Sequence, residues 1–393
     1  MIVRQFLQWI RTAPASERAD ATSALARAYL YSDLSPDDLA AAEGAMIMLL
    51  DDPSPVVRRA LAEALAVSER APPAVMHSLA ADQSEVAALV LARSPLFLDA
   101  ELVDATARGV ACLQVAIAQR PALPCSVSAA IAEIGCAEAC LVLLENRGAE
   151  IVPFSLDRIV DRHGHLAAIR NVLLEREDLP VPTRQALVAK LSKTLAAFVT
   201  SRDWLAEERA QSIAKEACEK ATVTIAAASP NGEVGALIEH LRASGQLTSG
   251  LLLRALLCGN DTLFEESLVE LSGVSAARVS AVLHDRWGSG FRALYDKAGL
   301  PASIYPAFRE AVEAMREEGF QGERNGASRL KRRIIERVLT RCEAEVLGEI
   351  EPLLTLLRRF AAEAAREEAR AFCEELVAER MYPIAAERSR FAA

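Results

Sequence analysis

A helix-ending phrase that recurs at a nearly constant interval is the strongest constraint on how this chain folds. The phrases Ala92-Arg-Ser-Pro95, Gln119-Arg-Pro121 and Asn146-Arg-Gly148 each close an aliphatic run, and their last residues lie 26 and 27 positions apart. Each phrase is followed by a short turn and a second helical pattern. Because a two-helix unit of this size cannot bury its apolar face alone, the interval predicts a stacked α-α solenoid.

Glycines and prolines occur in each unit where helix ends favour them. The second helices end at Gly109, Gly135 and Gly164, and they open at Leu123-Pro, Ile151-Val-Pro and Leu179-Pro. Glycine is favoured just past a helix C-terminus, and proline just inside a helix start. We therefore expect at least five two-helix units between Ser35 and Ser192.

The run from Leu49 to Leu65 carries a more specific pattern. It resembles the turn and second helix of a HEAT repeat, whose Asp, Val and Arg fall on Asp52, on Val56 or Val57, and on Arg58. In HEAT repeats the Asp and the Arg commonly bond between neighbouring units, so the resemblance implies such bonds here. Ala88 stands where the next unit would carry the Arg, so the later units are HEAT-like only.

Other stretches are similar to the uncharacterised bacterial family DUF2336 (domain of unknown function 2336). They are Leu143-Leu-Glu-Asn-Arg-Gly148, Leu251-Leu-Leu-Arg-Ala-Leu-Leu-Cys-Gly259 and Phe291-Arg-Ala-Leu-Tyr-Asp-Lys-Ala-Gly-Leu-Pro301. Together with the repeats, this resemblance covers roughly residues 35–320. It implies no activity and no catalytic residues.

Composition agrees with an all-α fold class. Helix-forming Ala, Leu, Arg and Glu dominate, only 5% of residues are aromatic, and alternating strand-type runs are nearly absent. We predict N-terminal capping helices over 1–34, HEAT-like repeats over 35–198 and a compact helical module over 199–319. Long C-terminal helices over 320–393 are expected to form a hairpin. A single long helix is predicted from Ser201 to Ala228.

Charge disfavours a general nucleic-acid-binding role. Residues 1–200 hold 24 acidic and 18 basic side chains (net −6), and residues 201–393 hold 30 and 26 (net −4). One segment, 267–284, nevertheless resembles a repressor-type helix-turn-helix. Gly273 would supply its turn, Ser275 would cap the second helix, and Val279 and Val282 would face inward. The outer face of that second helix offers few base-reading side chains.

A basic face at 324–341 is the best candidate for a partner surface. Its binding candidates are Arg329, Arg332, Arg333 and Arg337. These residues could dock an acidic protein or, less favourably, nucleic acid. The alternative is a solvated helix face with intrahelical ion pairs.

Nothing in the sequence forms a convincing catalytic or metal set. Asp157, Asp161, His163 and His165 cluster, but His163-Gly164 suits a helix end better than a metal site. The cysteines, among them Cys136 and Cys140 on one helix face, are interpreted as small buried hydrophobes. We therefore expect no cofactor, no metal and no enzyme activity.

The C-terminal stripe Leu353, Leu357, Phe360, Ala364, Ala371 or Phe372 and Leu376 indicates helix packing, and homodimerisation through these C-terminal helices is a hypothesis. No run approaches the roughly 18 apolar residues of a membrane span, and no signal-peptide pattern is present, so a cytoplasmic location is expected. The leading function is a non-catalytic protein–protein interaction scaffold or regulatory adaptor. The alternative is a nucleic-acid-associated protein that uses segment 267–284 and the basic face at 324–341.

Overall fold

The computed structural model is all-α, which confirms the predicted fold class. It describes residues 9–10, 12–285, 290–318, 332–341 and 351–390, without the side chains of 231, 317–318, 351–352 and 375–390. No β-strand occurs in these ranges, apart from one isolated bridge between Leu123 and Ala149. The chain divides into two compact units, Met1–Lys190 and Leu191–Ala393.

Helices of the first unit alternate between two rows. The first row contains α1 (Ala15–Tyr31), α3 (Pro55–Leu65), α5 (Ser84–Arg93), α7 (Ala111–Ala118), α9 (Ala137–Glu145) and α11 (Ala167–Glu175), and each packs against the next. The second row contains α2 (Pro36–Leu49), α4 (Pro73–Ala80), α6 (Asp99–Ala107), α8 (Cys125–Ile134), α10 (Pro153–His163) and the first half of α12 (Val181–Ser201). The rest of α12, from Leu191, belongs to the second unit. One hydrophobic core runs through the unit. This arrangement supports the HEAT-like solenoid, which stays a prediction.

Helix ends in this unit lie where the glycines and prolines predicted them. Helices α8 and α10 end at Ile134 and His163, immediately before Gly135 and Gly164. Gly109, with φ of +75°, follows the end of α6. Ser35 caps α2 by accepting a hydrogen bond from the Asp38 N–H at 3.2 Å. These boundaries depend on local chain chemistry, which explains why the sequence alone locates them.

The recurrent helix-ending phrase also has a structural role between repeats. Arg120 donates hydrogen bonds to the carbonyls of Leu91 (2.6 Å) and Ser94 (2.7 Å), at the end of the preceding first-row helix. Asn146 does the same to Ala118 (2.8 Å) and Arg120 (2.7 Å) one repeat later. Each side chain thus satisfies carbonyls that a helix C-terminus leaves without an intrahelical donor.

Ion pairs of the kind implied by the HEAT resemblance connect the earliest repeats. Arg58 binds Asp82 through Nε (2.6 Å) and Nη2 (3.0 Å), and Arg18 binds Asp52 in the same bidentate way at 2.8 Å. Arg58 also donates to the Asp52 carbonyl. At Ala88 no guanidinium is available to extend this series.

The second unit contains the remaining helices around its own core. They are α13 (Glu207–Ala228), α14 (Asn231–Ala243), α15 (Ser249–Leu257), α16 (Asp261–Ser272), α17 (Ala276–Leu283), α18 (Phe291–Lys297), a 3₁₀ turn (Ala302–Ile304), α19 (Tyr305–Glu318), α20 (332–341) and α21 (Glu351–Arg390). Of the predicted stripe, Leu353, Leu357, Phe360 and Ala364 are buried in this core. The prediction is wrong further along α21, where Ala371 is half-buried and Phe372 is exposed, and the side chain of Leu376 lies outside the described residues. Homodimerisation stays a prediction, and so do the three domain boundaries at 34, 198 and 319.

The predicted single helix from Ser201 to Ala228 is wrong at its start. Helix α12 ends at Ser201 and α13 begins only at Glu207. Between them Asp203 adopts a left-handed conformation with φ of +56°, and the Trp204 N–H donates back to the Val199 carbonyl. No glycine or proline marks this turn, so no breaker residue signals it in the sequence.

Across the described part of the chain, none of the helices combines the length and apolar character that crossing a bilayer requires.

Candidate functional site

Exposed apolar side chains recur along one edge of the first unit, where first-row helices end and second-row helices begin. Phe154, Tyr31 and Leu98 are 72%, 75% and 70% exposed, although such residues are usually buried. We call the whole set the apolar edge, and it consists of Tyr31, Val67, Leu98, Val152, Phe154 and Leu174. The turn segment 119–126 contributes none, since Leu123 is buried. Exposed apolar residues that are grouped on one edge, rather than scattered, are typical of interaction sites.

Hydrogen bonds between consecutive turns show that these residues belong to one edge. The turn at Arg120 bonds to Ser94 in the turn before it and accepts from Asn146 in the turn after it. The Leu123–Ala149 bridge joins the same turns, with Leu123 N–H donating to Gly148 at 3.0 Å. Arg70 reaches the Leu30 carbonyl, and Arg176 reaches that of Leu144. These bonds join the first two turns to each other and the last four turns to one another, and the packing of α3 against α5 brings the two groups together.

The same edge carries the acidic excess of the repeat region. Its turn segments, 31–38, 66–74, 93–101, 119–126, 145–154 and 175–181, contain 11 acidic and 5 basic side chains, a net charge of −6. The rest of residues 1–200 holds 13 acidic and 13 basic side chains (24 − 11 and 18 − 5) and is neutral. Three of the five bases, Arg70, Arg120 and Arg176, donate to backbone carbonyls.

The second unit contains a charged cleft of about 510 Å³. The C-terminal half of α13, the corner between α15 and α16, and helix α21 form its walls. Its charged lining residues are Lys220, Arg254, Asp261, Glu363 and Glu367. The corner is closed by Asn260, whose Oδ1 caps α16 through the Leu263 N–H at 3.1 Å.

Charges in this cleft largely neutralise one another. Glu363 accepts hydrogen bonds from Arg254 and Lys220, both at 2.7 Å, and Lys220 also contacts Glu367 at 2.6 Å. The Arg254 guanidinium lies over the Phe360 ring, 4.4 Å from its centroid. Burial alone would raise the pKa of Glu363, but the bonds from the two cations lower it. The network connects α21 to α13 and α15.

Asp261 differs from the other carboxylates of the cleft. Its Oδ1 is buried and accepts no hydrogen bond from any described group. Burial raises the pKa of its carboxyl, and the nearby Glu265 raises it further.

The predicted basic face at 324–341 is partly described. Arg332 pairs with Glu336 at 2.7 Å, one helical turn away, and with Glu368 of α21 at 3.0 Å. Arg333 is exposed and Arg337 is half-buried, while Arg329 lies outside the described residues. For Arg332, this geometry matches the alternative of a solvated face with ion pairs.

Comparison with known families places the chain in one of them. The family model described as "Uncharacterised protein conserved in bacteria (DUF2336)" matches residues 86–348. The chain belongs to the DUF2336 family. No curated protein and no solved structure matches it. The region that matches DUF2336 includes the corner of the charged cleft and the apolar-edge residues from Leu98 onward, whereas Tyr31 and Val67 precede it.

The helix-turn-helix-like segment of this DUF2336 protein has the predicted turn but not all the predicted contacts. Gly273 ends α16 with φ of +65°, and Val279 is buried. However, Ser275 makes no capping hydrogen bond to α17. Ser272 instead contributes to the turn by accepting a hydrogen bond from the Val274 N–H at 3.3 Å. Leu283 rather than Val282 is fully buried. Arg278 is the one Lys or Arg in segment 267–284.

The Asp157–His165 cluster has structural contacts. Asp157 accepts a hydrogen bond from the Thr183 hydroxyl at 2.6 Å, and burial lowers the pKa of His163. No group of three or more His, Cys, Asp or Glu side chains suited to a metal ion occurs among the described residues.

The interpretation of the cysteines as buried hydrophobes is correct for Cys140 but wrong for three others. Cys112 and Cys125 are exposed because they lie on solvent-facing positions of otherwise apolar helices, and Cys373 is exposed in a part of α21 rich in Arg and Glu.

Sequence reasoning missed both the apolar edge and the cleft. For the edge, the available signal was an apolar residue in the turn position of several repeats, such as Leu98 and Val152. For the cleft, it was Arg254, a single charge inside the apolar run 251–258.

Proposed function

We propose that this DUF2336 protein is a non-catalytic scaffold or regulatory adaptor that binds another protein through the apolar edge. The observation that carries this proposal is the set of apolar side chains, most of them more than half exposed, that recurs at five of the six turns along one edge. A stacked helical array holds such side chains at fixed spacing, which lowers the entropy lost when a partner binds. Helical-repeat proteins commonly use extended surfaces in this way.

Ion pairing in the second unit supports a structural rather than a reactive role for its charged groups. Lys220, Arg254 and Glu363 are engaged with one another in the cleft. Catalytic groups are instead expected to present a nucleophile, base or oxyanion donor toward a common point. The absence of enzyme activity is therefore part of the proposal.

The nucleic-acid alternative has less support. The turn segments of the repeats carry a net charge of −6, and phosphate binding requires a basic surface. In segment 267–284 a single arginine, Arg278, is exposed.

Affinity capture of the tagged full-length chain from its native cells, with and without nuclease, tests the proposal. The edge variant combines Leu98→Asp with Phe154→Asp. Leu98 is the N-cap of α6 and Phe154 the second residue of α10, where Asp is favourable, so folding should persist. We expect the wild type to retain a stoichiometric protein partner after nuclease treatment, and the edge variant to lose it.

A matched control is available on the opposite edge. Val110 is the N-cap of α7 and Val56 the second residue of α3, so Val110→Asp with Val56→Asp makes the same changes at equivalent helix positions. The control should retain the partner. Equal retention by the edge variant would contradict the proposed surface, and recovery that collapses with nuclease would favour the nucleic-acid alternative.

A further inference from the structure

We infer that the partner segment bound by the apolar edge is a basic amphipathic helix. This inference rests on the proposed function and names the class of partner. Two independent properties of the edge support it, namely the spacing of its apolar residues and the sign of its charge.

The spacing of the repeats suits a helix that lies along the edge. Packed helices stand about 8–10 Å apart, so anchors on consecutive repeats have about that separation. Seven residues of an α-helix extend about 10.5 Å and return to the same face. A partner helix with an apolar stripe of heptad period can therefore place one side chain near Leu98 and, two heptads on, one near Phe154. The turn between these anchors, 119–126, has no exposed large apolar side chain.

The acidic charge of the edge indicates that the polar residues of the partner helix are basic. The turn segments of the edge hold 11 acidic side chains against 5 basic ones, while the rest of residues 1–200 is neutral. The exposed acids beside the anchors include Asp33, Asp99, Glu150 and Glu177. A helix with Lys or Arg flanking its apolar stripe would be attracted to this edge, whereas an acidic helix would be repelled.

Three synthetic fluorescent peptides of about 21 residues, or three heptads, test this inference. The first has Leu at the a and d positions and Lys at most others. The second replaces each Lys with Glu. The third keeps the Lys residues and replaces each Leu with Gln. Binding to the full-length chain is measured by fluorescence anisotropy at about 50 mM and about 300 mM salt.

We expect the Leu/Lys peptide to bind at least about tenfold more tightly than either other peptide, and more weakly at the higher salt. Leu98→Asp with Phe154→Asp should weaken its binding at least about tenfold, even though these changes make the edge more acidic. Val110→Asp with Val56→Asp should change it less than about twofold.

A charge-reversal pair tests the electrostatic part. Glu150→Lys with Glu177→Lys should weaken binding of the Leu/Lys peptide by about tenfold at low salt. The control is Asp104→Lys with Glu138→Lys, which reverses two exposed acids outside the turn segments. Circular dichroism at matched concentration would show that every variant folds.

The contrary outcomes are distinguishable. If the Leu/Glu peptide binds as tightly as the Leu/Lys peptide, or if neither binds, the partner class is wrong, and the capture experiment still decides the proposed function. If the Leu/Lys peptide binds the edge variant as tightly as the Val110/Val56 control, this inference is overturned because the peptide uses another surface.

Discussion

Cys140 and Cys125 show how position within one helical repeat controls the chemistry of a side chain. The Cys140 thiol is buried and donates to the Ile131 carbonyl at 3.5 Å, and burial raises its pKa to about 11. Cys125, at the start of α8, is exposed. Because the thiolate is the nucleophile, iodoacetamide at pH 8 should modify Cys125 at least about 100-fold faster than Cys140. Peptide mass spectrometry would measure both rates, and the difference should vanish in denaturant.

The free energy of unfolding should depend on pH because the Asp52 carboxylate is bound by a cation and a backbone N–H in the folded state. Burial alone would raise the pKa of its carboxyl, but bonds from Arg18 and the Ser54 N–H, with the nearby charge of Arg58, lower it. The folded-state pKa thus lies below the unfolded value, so this stabilisation exists above about pH 4 and is lost as pH falls through the folded-state pKa. Asp52→Asn should cost about 2 kcal/mol at pH 7 and much less at pH 3 in urea unfolding.

Asp51, exposed in the same turn, provides the control for this pH dependence. Asp51→Asn should change the unfolding free energy by less than about 0.5 kcal/mol at either pH. A cost of Asp52→Asn that stays constant between pH 7 and pH 3 would contradict an ionic contribution.

At the scale of elements, the glycines of the repeats tolerate substitution very unequally. A Cβ at Gly148 would lie 1.9 Å from the Pro121 carbonyl oxygen, which is backbone and cannot move aside easily. Gly148→Ala should therefore cost about 3 kcal/mol or more. Gly44 lies within α2, and a Cβ added there would meet nothing within 4 Å, so Gly44→Ala should stabilise by up to about 1 kcal/mol. Denaturant unfolding of both variants would measure their free energies of unfolding. Equal changes in the two variants would contradict this prediction.

Element boundaries were predictable where a local residue enforces them. Gly135 and Gly164 follow helix ends, and Pro153 opens α10, because backbone sterics act on those residues directly. The break before α13 was not predictable, because Asp203 adopts its left-handed conformation without any glycine or proline nearby. The side-chain bonds of Arg120 to the preceding repeat were also missed, since they depend on how neighbouring units stack.

At the scale of the whole molecule, contacts between distant segments could not be predicted from the sequence. Arg254 and Glu363 are 109 residues apart, and Lys220 and Glu367 are 147 apart. Arg254 was conspicuous as a charge within an apolar run, which indicates a buried partner but not which acid supplies it. The exposure of Leu98 and Phe154 could not be predicted either, since tertiary packing decides whether an apolar residue in a turn is buried or exposed.

The Arg254–Glu363 pair should stabilise the packing of α21 against the rest of the second unit far more than the Lys220–Glu367 pair does. The Arg254 side chain is only 6% exposed, whereas that of Lys220 is 45% exposed. Glu363→Gln leaves a buried guanidinium without its carboxylate and should cost about 3 kcal/mol, whereas Glu367→Gln should cost less than about 1 kcal/mol. Hydrogen exchange of α21 should accelerate in the first variant only. Arg254→Met combined with Glu363→Leu should recover most of the loss, because the apolar pair removes both charges together. Equal costs for the two single variants would show that burial of Arg254 does not set the strength of this contact.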